Sequence, residues 1–308
     1  MIVRSHHHWL HLLFTWRGSV LQRLGWRLLW VLLVSVISVL CSPWWLAEHA
    51  GSALGIPPFT LMGVALAIFL GFRNTASYDR FWEARKLWGT LVIFSRSLVR
   101  EVASFAPSPE YAEARTRIAR GVAAFSLALK HQLRGSDASA DLVQRLPPEA
   151  MAGIGSAHFK PSAVLLFLGH EVAALWRQGA ITDLQLQSLN LTLNTLSEVL
   201  GGCERIANTP IPYTYRVLIH RTVMGYCLLL PLGLASSIGW LTPLIAGFVA
   251  YAFLALDAIA EEIEEPFGEE PNDLALGAMC YTIEASVCEL VGVAPLAEAP
   301  RPVGDVLL

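Results

Sequence analysis

The chain has 308 residues, 54% of them apolar and only 15% charged, with a mean hydropathy of +0.50. Ordinary soluble domains carry about 25% charged residues, and the shortfall here is confined to a few stretches, so the sequence reads as a membrane protein with a soluble portion. The formal net charge of −3 identifies no partner, because the two signs are segregated along the chain, and no basic aromatic platform for nucleic acid occurs.

Residues 1–27 mix tryptophan, leucine and arginine at helical spacing. Trp9, Leu10, Leu13 and Trp16 share a face, with Arg17, Arg23 and Arg27 outside it, as in a helix lying along a membrane surface. The run His6–His7–His8 invites a metal, but adjacent residues of a helix point in different directions and no acidic or cysteine partner is near. No cleavable signal peptide is evident, since the first apolar run is too long and lies too far in. That run, residues 28–47, is 20 residues without a charge and ends at Pro43 and the Trp44–Trp45 pair. Tryptophan there suits the headgroup region.

Residues 55–72 form a second uncharged run of 18 residues, long enough to cross a bilayer core as a helix. Gly63, Ala67 and Gly71 fall four apart, giving a face of nearly bare backbone. Val64, Ile68 and Phe72 make a neighbouring bulky row. Small residues let membrane helices approach closely, so the bulky row must face lipid, another helix or a hole. Residues 73–216 read as a soluble helical region. The second span continues to about Phe105, and further helices are expected over 110–133, 161–178 and 182–205, with loops around residues 134–137 and 147–148. Sustained period-two alternation is missing, so no strand is expected.

Residues 222–256 carry no charge for 35 positions and divide into two passes at a turn between 236 and 243. Residues 257–273 are acidic, and they read either as a solvated face, a hard-cation site, or a partner for the arginines at 73–86. The last of these is favoured, because Pro271–Asn272 interrupts the run and no EF-hand loop is present. Residues 294–308 contain three prolines and read as a flexible tail. The expected organisation is therefore 1–72, interfacial helix and two spans; 73–216, cytosolic helices; 217–256, two further spans; 257–293, an acidic helical segment; and 294–308, the tail. Arg4, Arg17, Arg23 and Arg27 precede the first span, Arg73, Arg80, Arg85 and Lys86 follow the second, and Arg205, Arg216 and Arg221 precede the third. The positive-inside rule then puts both termini and residues 73–216 in the cytoplasm.

Enzyme chemistry finds no foothold. His170–Glu171 is not a zinc-binding HExxH, the other histidines are scattered, and neither GxSxG nor a Walker loop occurs. Asp79, Arg80, Glu83 and Arg85 read as intrahelical pairs. The five cysteines (Cys41, Cys203, Cys227, Cys280, Cys288) form no CxxC pair and read as free thiols. No charge falls inside a span and no inverted repeat is visible, which argues against a transporter or pump. What is left is a pore constricted by apolar residues, built from a ring of identical chains.

At this point four segments become recognisable. IPPFTLMGVALAIFLGFRNTASYDRFWEARKLWG resembles the second span and its extension in bacterial bestrophins. MIVRSHHHWL…WRGSVL is similar to their N-terminal helix, RIANTPIPYTYRVLIHR to the segment leading into their third span, and EEIEEPFGEEPNDLAL to the segment after their fourth. The resemblance implies an all-α membrane protein, four transmembrane helices per subunit plus a cytosolic helical bundle, assembled as a homopentamer around one pore in a bacterial inner membrane. It places the rings of the pore neck on Val64, Ile68 and Phe72, with Gly63, Ala67 and Gly71 packing around them, and a cytosolic aperture on Ile211, between Pro210 and Pro212. No cofactor is expected. Calcium in particular is not, because Pro271–Asn272 breaks the acidic cluster that calcium-gated relatives carry. The expected function is passive conduction of monovalent ions, chloride by default and sodium as the other candidate. The alternative from a different class is a membrane-anchored scaffold whose cytosolic bundle binds a partner.

Overall fold

The computed structural model of the chain describes residues 1–2, 20–48, 56–303 and 305–307. The described residues are helical apart from turns, with two isolated β-bridges and no strand. The interfacial helix expected within residues 1–27, His6–His8 included, lies largely outside them.

In chain order the helices are α1 (Leu21–Glu48), α2 (Ile56–Phe105), α3 (Ala112–Arg134), α4 (Ser139–Val143), α5 (Pro148–Ile154), α6 (Lys160–Arg177), α7 (Asp183–Asn208), α8 (Tyr213–Ile238), α9 (Thr242–Glu264) and α10 (Leu276–Leu290). Among the described residues, three stretches are long and apolar enough to cross a membrane: Leu21–Trp44, Ile56–Phe105 and Tyr213–Glu264. The third spans α8 and α9. It is interrupted by a 3-10 turn at Gly239–Leu241, where Gly239 has φ +54 and ψ −128, a conformation open to glycine almost alone. The turn lies where the sequence predicted one.

The helices group into two compact units. One takes residues 5–81 and 210–264, hence α1, the first half of α2, α8 and α9. Its core runs through Leu24 and Val31 of α1, Phe59, Leu66 and Leu70 of α2, Val223, Tyr226 and Leu230 of α8, and Ala246, Ala250 and Leu254 of α9. Lipid is as apolar as leucine, so burial alone does not hold such helices together and close packing must. The small residues permit it. On α9, Thr242, Ala246, Ala250, Leu254 and Ala258 recur every four residues and all are buried. A β-carbon at Gly247 would stand 2.9 Å from Leu32 of α1, and one at Gly233 of α8 only 2.2 Å from the ring of Phe59.

The second unit takes residues 1–4, 82–209 and 265–308. Its centre is α3, buried continuously from Gly121 to Leu129, as a helix surrounded by others should be. Gly135, at φ +63, ends it in the left-handed conformation common after a helix. Thr182 and Gln185 close a capping box at the start of α7. The two short helices α4 and α5 fill what the sequence read as loop. Their cores are single residues, Leu142 and Ile154, too few for a periodic pattern. In the last stretch, Val303 and Val306 form a bridge, Ile2 pairs with Val306, and the Met1 amino group donates to the Leu307 carbonyl.

Arg145 and Glu284 form a bidentate pair, Nε to Oε1 at 3.1 Å and Nη2 to Oε2 at 2.8 Å, both side chains almost wholly buried. The Leu296 amide also donates to Glu284 Oε1 at 3.0 Å. Removing one member of such a pair leaves the other charged and unpaired in a dry site. Arg145→Ala is expected to destabilise the protein by about 3–5 kcal/mol, read from denaturant or thermal unfolding of the purified chain. A loss below about 1 kcal/mol, the range of a surface pair, would show that water reaches Glu284 after all.

Candidate ion pathway

The helix α2 begins with Pro57 and Pro58 in its first turn, where a missing N–H costs nothing. Within the first unit its buried positions are Phe59, Leu66, Leu70, Arg73 and Ser77, with Gly63 half-buried between them. These alternate by three and four, the spacing of a seven-residue repeat. Two of these positions are polar and one is glycine, so the stripe carries little hydrophobic contrast, and four-residue ladders catch the eye first. The bulky ladder lies off this stripe: Val64 is 57%, Ile68 53% and Phe72 66% exposed within the single chain. Three large apolar side chains in a row thus stay more than half exposed among the described residues.

The small-residue ladder divides. A β-carbon at Gly63 would stand 2.6 Å from the Tyr226 hydroxyl, so Gly63 makes room for α8 of the same chain. Ala67 and Gly71 are exposed, and a β-carbon at Gly71 would meet nothing within 4 Å. Ile211 is half-buried in the link between α7 and α8. Pro212 follows it as the residue before the helix, and no side chain caps the first turn of α8.

Where the apolar part of α2 ends, charge is buried. Arg73, 2% exposed, pairs through Nη1 with Asp257 of α9, 1% exposed. His220 Nδ1 lies 2.9 Å from the other Asp257 oxygen. Glu264 stands 3.9 Å from Arg73 Nη2, too far for a hydrogen bond. Asn74 donates to the Leu256 carbonyl at 3.3 Å, and Arg80 Nε to the Glu264 carbonyl at 2.8 Å. The acidic segment therefore does partner the arginines of α2. The solvated-face reading fails at Asp257 and Glu264, because each is drawn in by α2.

Other reactive groups in the second unit are quiescent. Burial pushes the Cys203 and Cys280 thiols up to about 12, so neither supplies a thiolate nucleophile at neutral pH. His131 bridges Ser136 (2.7 Å) and Asp141 (2.9 Å). Burial alone would raise the Asp141 carboxyl, but the His131 hydrogen bond and the nearby Lys130 and Arg145 hold it below its ordinary value. Ser136 Oγ meets Nδ1 just past the C-terminus of α3, and its amide donates to the His131 carbonyl, so the arrangement closes a helix end. Among the described residues no three His, Cys, Asp or Glu side chains stand close enough together to hold a metal ion.

Residues 1–289 match the family described as Bacterial/Fungal Bestrophin protein. The chain is a member of the bestrophin family. It is 45% identical over 293 residues to a voltage-dependent anion channel-forming protein of Ralstonia nicotianae, covering 95% of each chain. It is 43% identical over 290 residues to the voltage-dependent anion channel-forming protein YneE of Escherichia coli K12, covering 94% of each. The crystal structure of a bacterial bestrophin homologue from Klebsiella pneumoniae superposes with a TM-score of 0.84 at 43% identity, covering 88% of this chain and 100% of that one. This bestrophin thus has relatives named for channel formation, and none of these names describes an enzyme.

Sequence reasoning missed two contributions to the site. One is Tyr226, whose partner Gly63 was assigned elsewhere. The other is the buried ladder on α9, whose four-residue spacing was there to be read. Gly63→Ala is expected to destabilise the protein by about 1–3 kcal/mol through overpacking against Tyr226, and adding Tyr226→Phe should restore most of the loss by removing the hydroxyl. Thermal unfolding in detergent measures both. A double variant no more stable than Gly63→Ala alone would place the conflict elsewhere.

Proposed function

We propose that this bestrophin is a passive ion channel, conducting anions such as chloride, in which five copies surround one pore and each contributes α2 to the wall. The observation that carries the reading is the row Val64, Ile68 and Phe72, exposed, in a member of the bestrophin family, on a helix whose other side is packed inside its own chain. A ring of such rows makes an apolar constriction, and apolar constrictions gate by wetting and drying. The names of the relatives supply the anion. Ala67 and Gly71, open in the single chain, then offer the surface on which a neighbouring copy closes the ring. Ile211 forms the second narrow point, with the uncapped start of α8 beside it to favour an anion.

In this reading α1, the first half of α2, α8 and α9 are four spans, and the arginines at their charged ends place both termini in the cytoplasm. No calcium is needed. The Asp273 carboxylate already accepts the Glu270 amide at 2.7 Å, and Glu269 lies 3.4 Å from Arg134.

Purified protein in planar bilayers tests the proposal. Val64→Ala, Ile68→Ala and Phe72→Ala should each raise unitary conductance about twofold or more by widening and wetting the constriction. Unchanged currents in all three would move the pore wall away from this row. Under a salt gradient the reversal potential should move toward that of chloride. Movement toward the cation potential would overturn the anion reading, and absence of any unitary current would favour a membrane-anchored scaffold.

A further inference from the structure

Four uncharged runs end at one place. Residue 28 follows Arg27 in α1, Phe72 precedes Arg73 in α2, Thr222 follows Arg221 in α8, and Leu256 precedes Asp257 in α9. Arg27, Arg73, Arg221 and Asp257 all line one pocket of about 380 Å³ in the first unit, together with Arg216 and His220. A pocket at the ends of all four apolar runs lies at the depth where hydrocarbon gives way to headgroups. The aromatic residues agree: Trp26 and Trp30, on the same turns as Arg27, are both exposed, with ring centroids 5.8 Å apart, as in the tryptophan belts of membrane interfaces.

The pocket has a positive surplus. Asp257 is committed to Arg73 and His220, and Glu261 is the other carboxylate in the lining. Arg27, Arg216 and Arg221 have no carboxylate within salt-bridge distance among the described residues, and Arg216 instead lies over the Tyr213 ring, 5.5 Å from its centroid. Several arginines converging on one space, three of them without a carboxylate partner, match an anion with many acceptor oxygens better than a single halide.

We propose that this pocket binds the phosphate of an anionic phospholipid, taken from the leaflet on the arginine-rich side. The inference rests on α1, α2, α8 and α9 being membrane helices, and it does not depend on conduction. Basic pockets between membrane helices are suited to such headgroups. Of the two sources of phosphate, the lipid is favoured by the depth of the pocket and by the tryptophans.

Native mass spectrometry of the full chain in detergent, supplied with equal amounts of phosphatidylglycerol and phosphatidylcholine, tests it. The unmodified protein should retain phosphatidylglycerol about tenfold in preference, and Arg216→Gln/Arg221→Gln should bring the ratio to about parity. Arg216→Lys/Arg221→Lys should keep a clear preference, which separates loss of charge from loss of fold. If the glutamine variant does not fold, Arg27→Gln, on a different helix, should lower the preference about threefold. Equal retention of the two lipids by the unmodified protein, or a preference that survives the glutamine changes, overturns the proposal. Displacement of the lipid by excess inorganic phosphate would assign the pocket to a soluble anion and overturn the lipid assignment. The readout requires no current, so failure of the channel reading in bilayers would leave this result standing.

Discussion

Arg73 and Asp257 are the interaction on which the first unit depends. Each would be costly to bury alone, and together they repay part of that cost because the pair is close and His220 takes the second carboxylate oxygen. The pair joins α2 to α9 just where both leave their apolar runs. Above it the helices meet through small residues and side-chain packing, which is permissive about rotation and sliding. A charge pair is not. It fixes which side of α2 turns inward at Arg73, and a helix has no freedom to change that choice a few residues earlier. Phe59, Gly63, Leu66 and Leu70 therefore face the chain's own core, and Val64, Ile68 and Phe72 are left facing out.

The exposed row is thus a consequence of the buried stripe and the charge below it. Large apolar side chains left exposed in this way mark a surface meant for something else. In a membrane, lipid could cover them at no cost, so exposure alone does not distinguish a lipid face from a pore. It is the family membership, shown over most of the chain, that turns the row into a candidate constriction. The pocket lined by Arg27, Arg216 and Arg221 belongs to the same junction, at the level where apolar runs stop and charges begin.

Much of the fold could be read from the sequence because it is written in long uncharged runs and strong helix boundaries. The turn at Gly239–Leu241, the helix from Ala112 to Arg134 and the run of α2 out to Phe105 all lie close to where pattern and proline placed them. The short helices α4 and α5 were not legible, since one buried residue each leaves no period to detect. Nor was the pair Arg145–Glu284, whose members are 139 positions apart and ordinary in their local context. In the candidate site, the three bulky residues stood out by their spacing and the family resemblance gave them a role. The glycines did not sort themselves: Gly63 and Gly71 look alike in sequence, and only the position of Tyr226 tells them apart. The acidic run that begins in the last turns of α9 was legible as a partner for arginine, but not which of its carboxylates would be buried.

The 50 residues of α2 run without a break from Ile56 to Phe105. In a continuous helix each residue adds about 100° of rotation. Inserting or deleting one residue between Leu66 and Arg73 would turn Arg73 by that angle relative to Phe59, Gly63 and Leu66, away from Asp257. No loop lies between them to absorb the change. Variation in length among descendants of this chain is therefore confined to its turns, and α2 is held to a fixed count of residues, as a key is held to the order of its notches.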